Sequence, residues 1–157
     1  MPMGIEIAQA ETGDLDQLTE LLAELFTLES DFRPDREKQL RGLSLILDNP
    51  MLGRLFVLRD QGRVAGMANV LITVSTAEGC RVVVLEDVIV RNEYRSKGLG
   101  RRLVEHILCW ARMEGMTRVT LLADRDNRAA LGFYRKLGFK HSHMAVLRRQ
   151  LTSRSHC

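Results

Sequence analysis

An α/β domain on a mixed sheet, with helices on both faces, is the fold this sequence predicts. Three observations predict it. Apolar residues switch repeatedly between the spacing of strands and the spacing of helices. A short turn, Asp60-Gln61-Gly62-Arg63, joins two strand-like runs into an antiparallel hairpin. In the C-terminal half a strand, a helix and a strand follow one another, which demands a parallel pair with a right-handed crossover.

The elements follow in order. Gly4 to Gln9 reads as a first strand. Asp14 and Gln17 then stand at capping-box spacing, and Leu15, Leu18, Leu21, Leu22, Leu25 and Phe26 trace one face of a helix. A second helix is expected to open near Pro34, whose fixed φ suits a first helical position, and to end before Asn49-Pro50. Arg54 to Arg59 and Val64 to Thr76 form the hairpin. Val82 to Val90 is a β-branched run that reads as a buried strand, interrupted by Glu86 and Asp87. Leu99, Leu103, Val104, Ile107, Leu108 and Ala111 recur at helical spacing, in a helix that runs to about Glu114. A strand is expected over Arg118 to Ala123, a helix over Asn127 to Leu137 and a last strand over Met144 to Gln150.

At 157 residues the chain is one domain's worth of protein, expected over residues 1–151 with 152–157 as a frayed tail. Its hydrophobic fraction of 45% and charged fraction of 27% place it among globular rather than disordered chains. No apolar run is long enough to cross a bilayer, and the N-terminus lacks the regions of a signal peptide, so a cytoplasmic protein with no membrane partner is expected. Cys80, Cys109 and Cys157 are odd in number and lack CxxC spacing; neither a disulfide framework nor a metal site is expected. The net charge of +3 gathers around residues 95–102 and the C-terminus, which suits a polyanionic small cofactor better than a duplex. Aromatic residues are few and none interleaves with the basic run, so no nucleic-acid partner is expected.

The most informative run is Arg95-Ser96-Lys97-Gly98-Leu99-Gly100, set between the buried strand and an amphipathic helix. A helix N-terminus presents unpaired N–H groups and partial positive charge, and glycines let an anion approach that backbone. Neither a P-loop string nor a strand-linked GxGxxG is present, since Leu103 stands where the third glycine belongs. What the run resembles is the RxxGxG signature of the GCN5-related N-acetyltransferases. The phrase LEDVIVRNEYRSKGLG, Leu85 to Gly100, is similar to that of the diamine acetyltransferases and, less closely, the glucosamine-phosphate acetyltransferases. Asn127, Ala130, Gly132-Phe133-Tyr134 and Leu137-Gly138-Phe139 resemble the family's second signature.

The resemblance implies a mostly antiparallel sheet with a central, splayed parallel strand pair. It implies acetyl-CoA as co-substrate and no metal. The amides of Ser96 to Arg101 (Ser96, Lys97, Gly98, Leu99, Gly100 and Arg101) surround the pyrophosphate, with Arg95 and Lys97 supplying charge. Backbone groups of Val88, Ile89 and Val90 pair with the pantetheine arm, and Asn127 touches it from the neighbouring side. Tyr134 corresponds to the tyrosine that protonates the departing thiolate; a phenol near pKa 10 is protonated at neutral pH and able to donate. Glu86 corresponds to the glutamate that serves as base, through water. Adjacent strand residues point to opposite faces, so only one of Glu86 and Asp87 reaches a given site unless a bulge redirects the other.

The function this implies is acetyl transfer to a primary amine of a small molecule, polyamine-like or amino-acid-like. A protein N-terminus or lysine as acceptor, and a non-catalytic acetyl-CoA-binding module, are the alternatives. Glu29, Asp31 and Asp35 lie where this family borders its acceptor pocket, a hint of a cationic acceptor. His141, His143, Arg148 and Arg149 read as surface residues. After Phe139 there is room for one clear strand where many members end in a hairpin, so a homodimer that completes that wall is expected.

Overall fold

The computed structural model describes residues 4–29 and 31–152. Five strands form one sheet in the order β1-β2-β3-β4-β5: β1 (Ile5–Gln9), β2 (Gly53–Asp60), β3 (Arg63–Ser75), β4 (Cys80–Val90) and β5 (Val119–Leu121). The first four pair antiparallel, and β4–β5 is parallel. Helices α1 (Leu15–Leu28) and α2 (Arg36–Leu47) lie on one face, and α3 (Leu99–Met113) and α4 (Arg128–Lys136) belong to the other.

Two cores result. Leu18, Leu21 and Leu22 of α1 pack with Leu55, Val57, Val64, Met67 and Ile89. Leu99, Leu103, Val104 and Ile107 of α3 pack on Phe56, Ala68, Val70, Val83 and Leu85. Burying each such leucine contributes about 1.5–3 kcal/mol, which makes these two stripes the anchors of the fold. Alternate residues of β3 and β4 therefore serve opposite cores.

The expected elements form, with informative differences at their ends. The capping pair is Glu11 and Asp14, not Asp14 and Gln17: the Glu11 N–H donates to Asp14 Oδ2 at 2.7 Å, while Gln17 Oε1 accepts from the Val64 N–H at 2.8 Å. Helix α2 begins two residues after Pro34, capped by Asp35, whose Oδ1 accepts from the Lys38 N–H at 3.1 Å. Strand β5 is shorter than expected.

The last strand does not form. Residues 139–152 carry no helix or strand, and Met144, Val146, Leu147 and Leu151 stand exposed. A strand needs a neighbouring edge and a face to cover its apolar side chains, and the three residues of β5 offer little of either. The parallel pair therefore sits at one end of the described sheet rather than in its middle. The expected tail beyond residue 152, with Cys157, lies outside the described residues.

Candidate active site

Two features of β4 create the site. Its pairing with β5 stops at Leu85–Leu121, yet β4 continues to Val90, so the edge carrying Val88, Ile89 and Val90 faces away from β3 without a strand partner among the described residues. Its pairing with β3 shifts register between Met67–Ile89 and Asn69–Glu86, which inserts one extra residue into β4. Asp87 sits in that bulge at φ 53°, a left-handed conformation uncommon for a residue with a Cβ. The bulge brings both carboxylates to one face. Glu86 pairs across to Asn69, and the Asn69 Nδ2 donates to Asp87 Oδ2 at 3.2 Å. Asn69 is buried, and its Oδ1 has no hydrogen-bond partner among the described residues.

Other carboxylates converge on the same place. Glu29, at the C-cap of α1, feels Asp87, Asp124, Asp31 and Glu86, and burial together with these charges pushes its pKa above the ordinary range. Burial and Asp87 push Glu86 up as well, and burial raises Asp87 against the opposing pull of its Asn69 hydrogen bond. A carboxylate at a helix C-terminus already opposes the helix dipole. The group is electrostatically costly, which is the usual mark of a site rather than of a scaffold. Among the described residues, no three His, Cys, Asp or Glu side chains converge closely enough to hold a metal.

Tyr134, on the other side of the sheet, feels Glu29 of this group. It packs against the α3 core, with ring contacts to Phe133 and Phe139 at 5.0 and 5.6 Å. Burial, with a smaller contribution from Glu29, pushes its pKa up to about 12. A residue of the α4 layer thus senses one of the α1 layer.

The loop after β4 leads into a helix start with open backbone amides. Ser96 and Gly98 adopt positive φ, 60° and 76°, and α3 begins at Leu99. The Arg102 N–H is the first of α3 bonded to a carbonyl of its own turn, Gly98 O, so the amides of Leu99, Gly100 and Arg101 precede the helical ladder. A Cβ on Gly98 would meet no atom within 4 Å, leaving open space before those amides, whereas one on Gly100 would meet the Phe133 ring at 3.5 Å. The cationic side chains are engaged within the chain. Arg95 donates from Nε to Val90 O at 2.8 Å and pairs with Glu24 at 2.7 Å. Lys97 donates to Glu93 O at 3.2 Å and lies over the Tyr94 ring, and Arg101 pairs with Glu105 at 2.8 Å. Arg95 and Lys97 thus brace the loop through exposed contacts. Asn127 caps α4, its Oδ1 accepting from the Ala130 N–H at 3.0 Å.

Of the three acids singled out before α2, Glu29 and Asp31 join the carboxylate group, and Asp35 is a helix cap. Asn69 went unrecognised, although a polar residue inside the apolar run Ala68-Asn69-Val70 was a legible signal. Asp124 carried none, and Arg148 reads from the sequence as a surface residue. Arg148 lies over the Phe32 ring at 5.6 Å, and its Nη1 donates to Asp31 Oδ2 at 3.1 Å.

Known proteins resemble the chain in sequence and in fold. The chain is 34% identical over 88 residues to a glucosamine 6-phosphate N-acetyltransferase of Trypanosoma brucei brucei, covering 55% of this chain and 58% of that one. It is 37% identical over 65 residues to an L-methionine sulfoximine/L-methionine sulfone acetyltransferase of Pseudomonas paraeruginosa, covering 41% and 38%. The chain thus spans little more than half of one of these relatives and less than half of the other. A solved structure of a possible acetyltransferase from Clostridium difficile 630 superposes with a TM-score of 0.87 at 20% identity, over 95% of this chain and 99% of that one, a likeness of fold. The profile of the acetyltransferase (GNAT) family matches residues 15–139. The chain belongs to that family, one of acetyl-CoA-dependent acyltransferases.

Proposed function

We propose that this protein transfers the acetyl group of acetyl-CoA to a primary amine of a small, cationic molecule. The observation that carries the reading is the carboxylate group Glu29, Glu86 and Asp87, of which Tyr134 feels Glu29 from the opposite layer. A phosphate-bearing acceptor, such as the trypanosomal relative's name specifies, would meet repulsion from this group; an alkylammonium would be attracted.

In this reading the amides of Ser96 to Arg101 hold the pyrophosphate, and the free edge of Val88 to Val90 takes the pantetheine arm in the manner of a further strand. Asn127 lines the neighbouring side. Glu86 takes a proton from the ammonium, through water, so that the amine nitrogen can bond to the thioester carbon as the carbon–sulfur bond breaks. Tyr134 offers its proton to the departing thiolate and is reprotonated by the one that the nitrogen sheds on becoming an amide. The raised Glu86 pKa suits a base, because an alkylammonium near 10.4 yields its proton more readily to a stronger acceptor. Full transfer from a phenol at about 12 to a thiolate near 8.5 is uphill by roughly 3.5 units, about 5 kcal/mol. Tyr134 therefore acts by hydrogen-bonding the developing charge, and a cation that offsets Glu29 eases the transfer.

A polyamine-like acceptor answers this charge best, and an amino-acid-like one is the second choice. A cytoplasmic homodimer belongs to the same reading, supported by the exposed apolar residues between Met144 and Leu151. The test is a screen of diamines, amino acids, peptides and lysine-bearing proteins for acetyl-CoA-dependent thiol release, with products identified by mass. Turnover confined to small amines supports the proposal. Turnover of peptide or protein amines alone, or acetyl-CoA binding without turnover, contradicts it.

A further inference from the structure

One cation reaches the acidic group from a part of the chain that no sheet restrains. Arg148 lies in the segment without secondary structure, and its guanidinium donates to Asp31 Oδ2 at 3.1 Å while covering the Phe32 ring. Phe32 in turn packs on Phe26 at 5.4 Å, so the guanidinium rests on an aromatic shelf at the end of α1. Arg148 is also the cation that opposes the rise of the Glu86 pKa. The contact is half exposed on both sides, with side-chain exposures of 50% and 66%, and an ion pair of that kind opens at little cost.

From this arrangement we infer that Arg148 is a specificity-determining residue: it occupies the place of a second cationic group of the acceptor, and a dicationic acceptor displaces it from Asp31 and Phe32. An ammonium has what the guanidinium uses there, a carboxylate partner and a ring face. A monoamine can be held by Glu29 and Glu86 without disturbing Arg148. A diamine gains Asp31 and Phe32 in addition, less what opening the Arg148 contact costs. Glutamine at this position removes that competition.

The inference rests on the proposed amine acceptor, and the two are tested separately. The amine screen decides the reading; comparison of wild type, R148Q and R148K with 1,4-diaminobutane decides the inference. R148Q is expected to lower the KM for 1,4-diaminobutane by about two- to fivefold, to lower that for n-butylamine by less, and to leave the KM for acetyl-CoA unmoved. R148K, which keeps the charge, is expected to restore the wild-type KM. An unchanged or raised diamine KM overturns the inference, as does an equal fall for n-butylamine, which would assign the effect to the general field. Should no thiol be released, calorimetric titration of 1,4-diaminobutane reads the same difference without turnover. Tighter binding to R148Q supports displacement; equal, weaker or undetectable binding to both proteins overturns it.

Discussion

Helix α1 begins and ends on a carboxylate, and the fold treats the two in opposite ways. At its start, Asp14 is buried beside Arg59, which donates to both carboxylate oxygens at 2.6 and 2.8 Å. The Arg59 hydrogen bond holds the Asp14 pKa below the ordinary range against the desolvation that raises it. At its end, Glu29 faces Asp31, Glu86, Asp87 and Asp124, and its pKa is raised. The first acid sits at the favourable end of the helix dipole and the second at the unfavourable end. One end stabilises the fold; the other keeps charge poised for a ligand.

The largest effect expected from breaking this contrast is on stability. Asp14→Ala removes the bidentate partner of the partly buried Arg59, which keeps Glu6 at 3.7 Å, and should cost about 3 kcal/mol in denaturant unfolding. Its pH dependence has a definite sign. A depressed carboxylate stabilises above its unfolded value near 3.8, and that contribution is lost as pH falls through the folded value, so the difference between wild type and variant shrinks in acid.

Next in size is Tyr134→Phe, which keeps the packing on Phe133 and Phe139 but removes the hydroxyl. Turnover should fall by about a hundredfold with acetyl-CoA affinity retained. Wild-type turnover would return Tyr134 to a purely packing role.

Smallest is Glu29→Gln. It should raise the KM of the amine by about tenfold, the loss of one charge-assisted contact, with no loss of stability at neutral pH. A raised carboxylate costs stability above its folded pKa, and that cost disappears as pH falls below its ordinary value near 4.5. Any stability advantage of the variant should therefore vanish in acid. A loss of stability at pH 7 would mean that the two ends of α1 are alike.

Much of this was legible in the chain because it is written in local spacing. The stripe from Leu99 to Ala111, the β-branched run from Val82 to Val90 and the glycines at 98 and 100 each announce an element or a turn through sterics alone. The bulge was only conditional in the sequence: adjacent Glu86 and Asp87 raise the question, and the register against Met67 and Asn69 answers it. Long-range pairings were invisible. Nothing local says that Arg95 turns to Glu24 or that Arg148 crosses to Asp31, because those contacts join residues 71 and 117 positions apart. The segment from Met144 to Gln150 shows the converse failure. Its pattern is that of a strand, but a strand exists only where an edge receives it, and β5 is too short to do so.

The pH dependence of kcat/KM for wild type and Glu86→Gln, measured with the same amine, decides whether Glu86 is the base. If Glu86 is the base, the wild type shows an acid limb at a pKa above the ordinary carboxylate range, in keeping with its burial beside Asp87, and the variant has a lower maximum without that limb. Superimposable profiles would contradict the account.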